Sequence, residues 1–115
     1  MNTVNGSRLL AHEVEALRRV AEKLRTSLGA AVTEIWAFGS RVRKDHGAWS
    51  DFDLLVILAR PDLELQRRVV DILVEDELIS GLPFAPVIKS QAAFDSERRY
   101  HTPFFQNINR EGISL

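Results

Sequence analysis

The residues best suited to chemistry lie between Gly39 and Leu54. Gly39-Ser40 ends an apolar stretch, and a glycine at such a point lets the backbone approach a ligand closely. Ser40 adds a hydroxyl and an amide, and successive amides at a turn form a concavity that accepts anions. A Gly-Ser pair alone is most often only a turn. Asp51 and Asp53 flank Phe52 at the start of a second apolar run. Side chains two apart on a strand share a face, so the two carboxylates project together, about 6–7 Å apart at the backbone. Like charges that close repel unless a cation lies between them. Oxygen ligands at this spacing suit Mg²⁺, which takes one or two protein carboxylates and fills its shell with water and phosphate oxygens. A bare Asp-x-Asp is, however, more often a solvated strand entrance. Arg41, Arg43, Lys44 and His46 lie between turn and carboxylates and carry charge that could neutralise phosphate. Arg41, next to the turn, has the best case; the other three individually read as a solvated loop.

Elements must hold these residues in place. Ser7 is placed to cap a helix. Leu10, Val14, Leu17, Ala21, Leu24 and Leu28 then repeat at alternating spacings of four and three, one helix face, and Gly29 suits its end. Val32–Phe38 is rich in β-branched and aromatic residues and reads as a strand. Residues 41–50 read as a loop, with a helical turn at its start as an option. Phe52–Leu58 reads as the second strand, and its run Leu54-Leu55-Val56-Ile57-Leu58 is apolar on both faces, which predicts a central strand. Pro61 and Asp62 open a second helix over Leu63–Ser80, with Leu65, Val69, Ile72, Leu73 and Ile79 inward. Gly81 and Pro83 close it. Phe84–Lys89 is a third strand, and Pro86 suggests an edge or a bulge. The chain is then helical at least in part from Gln91, and Ile113-Ser114-Leu115 could add a short strand. This order predicts a single α/β (α+β) domain over residues 1–115, a small mixed sheet with helices packed on one side.

Bulk properties narrow the function. Net charge is −1, from 15 Lys+Arg against 16 Asp+Glu, which argues against broad nucleic-acid binding. There is no cysteine, so disulfides, thiol catalysis and Cys-ligated zinc are excluded. No apolar run approaches the ~20 residues of a membrane span. A cytoplasmic protein is expected. His12 and His101 lack metal-ligand partners at useful spacing and read as surface residues. Trp36 reads as core. Trp49 could stack on a base or be buried. Phe104 and Phe105 should dock the last helix on the sheet, or else form part of an oligomer surface.

Taken in order, Gly39-Ser40-Arg41, the loop, and Ser50-Asp51-Phe52-Asp53-Leu54-Leu55-Val56 resemble the signature of the polymerase-β-type nucleotidyltransferase superfamily, nearest its minimal single-domain branch. Trp36-Ala37-Phe38 and the closing residues 107–115 are similar to that family's first strand and C-terminal segment. The combination is far more specific than any part. The resemblance implies a polymerase-β-like nucleotidyltransferase fold and transfer of a nucleoside monophosphate, such as AMP from ATP, to a hydroxyl on a protein or small molecule. Gly39, Ser40 and Arg41 would bind the nucleotide phosphates. Asp51 and Asp53 would be catalytic and would ligate Mg²⁺, two ions by analogy, with Mn²⁺ as a substitute. The resemblance also implies a third acidic residue on the strand after the second long helix. Phe84–Lys89 carries none, Asp95 and Glu97 come too late to share the strand, and Glu75, Asp76 and Glu77 read as a solvated helix face. Three roles therefore stay open: an enzyme, an antitoxin-type partner of a helical HEPN-like protein, or a catalytically weakened nucleotide-binding domain. A homo-oligomer is compatible with each.

Overall fold

In the computed structural model the described residues are 2–3, 9–43, 51–60 and 62–115. The element order is β1 (Asn2–Thr3), α1 (Ala11–Leu28), β2 (Val32–Phe38), α2 (Ser40–Arg43), β3 (Phe52–Leu58), α3 (Leu63–Ser80), β4 (Phe84–Ser90), α4 (Gln91–Tyr100), α5 (Pro103–Glu111) and β5 (Ile113–Ser114). The helix cap expected at Ser7 lies outside the described residues, as do Lys44, His46 and Trp49. At the start of α1 the Glu13 carboxylate accepts the Leu10 amide at 2.9 Å. Leu10 itself is exposed, so the inward stripe of α1 begins one turn later than its spacing predicts.

The five strands form one mixed sheet in the order β1-β5-β2-β3-β4. β2 runs antiparallel to β3, and β3 runs parallel to β4. A parallel pair needs a long crossover, and α3 supplies it. β3, apolar except for Asp53, lies inside the sheet, and β4, which contains Pro86, is one of its two edge strands, where a proline is tolerated. Both match expectation.

Expectation and structure differ on the layering. α1 and α3 cover one face, where Leu17, Val20, Leu24, Val69 and Leu73 pack with Leu54, Val56 and Leu58. α4 and α5 cover the other, where Phe94 and Ile108 pack with Trp36, Leu55 and Ile57. Helices thus lie on both sides of the sheet. The reason is legible in β3: its alternate residues are apolar in both directions, and each set must be buried. Phe104 and Phe105 do dock α5, meeting Phe38 and Phe94 edge-on at 5.7 and 5.9 Å between ring centres.

The inward face of α3 also departs from expectation. Val69 and Leu73 are buried, but the next inward position belongs to Asp76, at 0% exposure, while Ile79 is 73% exposed. Asp76 is therefore not part of a solvated face. Arg19 of α1 donates two hydrogen bonds to it, Nε to Oδ1 at 2.7 Å and Nη2 to Oδ2 at 3.1 Å. Lys23 Nζ lies at 3.6 Å and the Ser80 hydroxyl donates at 3.3 Å. Burial alone would raise the pKa of this carboxyl, but Arg19, Lys23 and Ser80 together hold it below the ordinary aspartate value. A buried carboxylate needs such partners, and here they fasten α3 to α1.

Candidate nucleotide site

The candidate site forms where β2 ends beside the start of β3. The antiparallel register sets Phe38 opposite Asp53, so the turn that follows Phe38 passes over the Asp53 side chain. Gly39 is buried there with φ +85°, a left-handed conformation that favours glycine. Space imposes a second requirement. A Cβ at residue 39 would overlap the Asp53 carboxylate oxygen and stand 3.0 Å from its Cγ. Gly39 is thus required by conformation and by the carboxylate it touches. Its carbonyl accepts the amides of Val42 and Arg43, both at 3.1 Å, which starts the short helix α2 at Ser40. The helical turn raised as an option at the head of the loop is therefore present.

Asp53 is two residues before Leu55 and shares the sheet face covered by α4 and α5. It is half-buried, whereas Asp51 is exposed. The Asp53 pKa is raised, first by burial and then by the negative charge of Asp51, with the positive charge of Arg43 acting against the rise. A hard-oxygen pair whose members repel is a donor set that a divalent cation would relieve, so these residues fit Mg²⁺. In the parallel register Asp53 lies beside Ala85 of β4, with Val87 two residues on. The neighbouring-strand position on the carboxylate face is thus a methyl group. Among the described residues, no group of three or more His, Asp or Glu side chains is arranged to hold a metal ion.

The two arginines of α2 differ in burial and in partners. Arg41 is 7% exposed. Its Nη2 lies 3.0 Å from Glu13 Oε2, and its guanidinium stacks 4.5 Å from the centre of the Phe52 ring. Glu13 belongs to α1 and Phe52 to the α1/α3 core. The charge of Arg41 is thus engaged with Glu13 and Phe52, on the face opposite Asp53, where it ties the turn to α1. Arg43, which read as solvated loop, is exposed, reaches Asp53 electrostatically, and has its Nη1 2.9 Å from Glu111 Oε1 of α5. Residues two apart on a helix point about 200° apart, so burying Arg41 turns Arg43 to the other side. The helical turn was the signal that could have exposed this difference in burial. His12 and His101 are exposed, as expected, and Trp36 is buried in the core. Among the described residues, no helix is long and apolar enough to cross a membrane.

A family model, described as nucleotidyltransferase domain, matches residues 17–104. That span includes the turn, both aspartates and the sheet strands β2, β3 and β4. A crystal structure from Sulfolobus solfataricus, described as a candidate nucleotidyltransferase, superposes with a TM-score of 0.53 over 87% of this chain and 76% of its own. Identity is 14%, so this likeness concerns the fold. No curated protein matches the sequence. The family match spans most of the chain and the fold agrees with it: the chain belongs to the nucleotidyltransferase domain family.

Proposed function

We propose that residues 1–115 act as one cytoplasmic domain that binds a magnesium-bound nucleoside triphosphate, ATP in the first instance, and transfers its nucleoside monophosphate to a hydroxyl on a protein or small molecule. The observation that carries this reading is the packing of Gly39 against Asp53. It joins a turn suited to phosphate to a carboxylate suited to a cation, with no room for a side chain between them. Amides at the Gly39-Ser40 turn and the Ser40 hydroxyl would hold the terminal phosphates. Arg43 would offset their charge. Asp51 and Asp53 would hold Mg²⁺, or Mn²⁺ in its place. The bound cation would supply charge neutralisation on the triphosphate. The acceptor oxygen would form a bond to the α-phosphorus, the bond to pyrophosphate would break, and the hydroxyl proton would leave to water or to a base carried by the acceptor.

Incubation with α-labelled ATP, Mg²⁺ and candidate acceptors tests the proposal. Label transfer that is lost in Asp53→Asn supports it. No transfer to any acceptor, together with no calorimetric binding of Mg-ATP, would refute it. Ala85→Asp restores a carboxylate beside Asp53 and should raise transfer, since a general base contributes about 10²–10⁴-fold.

Ala85 also favours a second reading, in which the domain binds nucleotide but transfers it poorly and acts by contact, as the antitoxin-type partner of a helical HEPN-like protein. Mg-ATP binding without turnover, with neutralisation surviving in Asp51→Asn and Asp53→Asn, would decide for this reading. Loss of neutralisation in those variants would decide against it.

A further inference from the structure

The Gly39-Ser40 turn opens into α2, a single helical turn of four residues. One turn fixes several backbone dihedrals for few hydrogen bonds and is unfavourable by itself. The amides of Val42 and Arg43, which both donate to the Gly39 carbonyl, therefore depend on contacts from outside the turn. Two carboxylates from separate helices supply such contacts. Glu13 of α1 pairs with Arg41, and Glu111, the last residue of α5, pairs with Arg43. α1 and α5 cover opposite faces of the sheet, so the turn is held from both sides. The Arg41–Glu13 pair is buried. In the Arg43–Glu111 pair the arginine side chain is 43% exposed and the carboxylate side chain 16%.

Backbone packing fixes Glu111 where it stands. Gly112 follows it, and then Ile113 pairs with Ala37 of β2, while Phe38 pairs with Asp53 of β3. The end of α5, the end of β2 and the start of β3 thus meet at one end of the sheet. Gly112 is buried there and has no room for a side chain. A Cβ would stand 2.5 Å from the Ile108 carbonyl oxygen and 3.1 Å from Trp36 Cε3. The Gly112 amide donates to that same carbonyl at 2.8 Å, and the Ile108 side chain is buried. α5 is seated closely on β2, so the Glu111 side chain starts from a rigid base.

We propose that Glu111 is a positioning residue: through Arg43 it holds α2, and with it the Gly39-Ser40 turn, from the α5 side. It does there what Glu13 does through Arg41 from the α1 side. The Arg43 guanidinium is then set beside Asp53 before a ligand arrives, and such preorganisation adds affinity by lowering the ordering cost of binding. An exposed ion pair contributes modestly and is screened by salt. The α5 side is accordingly the looser of the two. The effect on α2 stands on the ligand-free protein alone, whereas the effect on affinity rests on the nucleotide reading above.

Amide hydrogen exchange on the ligand-free full chain and calorimetry with Mg-ATP together test it. In Glu111→Gln the amides of residues 42 and 43 should exchange about two- to fivefold faster, the scale of one exposed ion pair, while those of β3 stay unchanged. Mg-ATP should bind more weakly by a similar factor. In an Arg43→Ala background the same substitution should change neither quantity, because the pair is already broken. Unchanged exchange in Glu111→Gln would overturn the proposal. So would Mg-ATP binding by that variant as tight as wild type or tighter, the latter being the result if the Glu111 charge mainly repels phosphate. An effect that persists in the Arg43→Ala background would overturn it as well. Faster exchange in Glu111→Gln, with no Mg-ATP binding by the wild type, would uphold the hold on α2 and refute the nucleotide reading.

Discussion

Replacing Gly39 with alanine separates backbone strain from damage to the site. At φ +85° the alanine costs about 1–2 kcal/mol in conformation. The new methyl also overlaps the Asp53 carboxylate oxygen. That oxygen ends a rotatable side chain, so turning Asp53 aside relieves most of the clash, and the Asp53 Cβ, 3.2 Å from the new methyl, must give by only a few tenths of an ångström. The site cannot absorb the same movement. A misplacement of about 1 Å costs on the order of 10²-fold when geometry carries the function. Gly81→Ala is the control. Its φ is +76°, and an added Cβ there would have nothing within 4 Å. Both variants should therefore lose about 1–2 kcal/mol in urea denaturation, but only Gly39→Ala should lose Mg-ATP affinity by calorimetry. Equal binding by the two variants would refute the argument that Gly39 exists to accommodate Asp53.

Three further outcomes are expected. Arg43→Ala should weaken Mg-ATP binding with little change in Tm, whereas Arg41→Ala should lower Tm markedly, because only Arg41 is buried against Glu13 and Phe52; calorimetry and thermal melts on both would check this. Asp76→Ala should cost about 2 kcal/mol by urea denaturation, the scale of hydrogen bonds to a charged group, since Arg19 stays partly hydrated without its partner. The folded-state pKa of Asp76 is lowered, so its contribution is present above the unfolded value of about 3.9 and is lost as pH falls through the folded one. Asp53 has the opposite sign. Its raised pKa makes folding less favourable as pH climbs from the ordinary aspartate value through the folded one. Asp53→Asn should accordingly raise Tm slightly at neutral pH while abolishing Mg²⁺-dependent nucleotide binding, and wild-type binding should strengthen as Asp53 ionises.

The sequence by itself determined the elements and the neighbourhood of the site. The alternation and apolar runs of β2 and β3, the periodicity of α1 and α3, and the Gly-Ser and Asp-x-Asp spacings are local properties. Local rules of period and turn chemistry read them well. The edge place of β4 was legible because Pro86 removes a backbone donor. Tertiary structure alone decided the remaining features. Whether helices cover one face or two depends on where α4 and α5 return, although β3 carried the hint in its two-sided apolar pattern. That Asp76 is buried and Ile79 exposed follows from Arg19, 57 residues away in sequence, because an ion pair across two helices outranks a periodicity within one. The different burial of Arg41 and Arg43 has the same origin. Both are cations beside a turn, and only the packing of α2 against Glu13 and Phe52 buries one and turns the other toward Asp53. Position along the chain brings charges near a site, but the direction in which each points is set by contacts that a linear sequence does not contain.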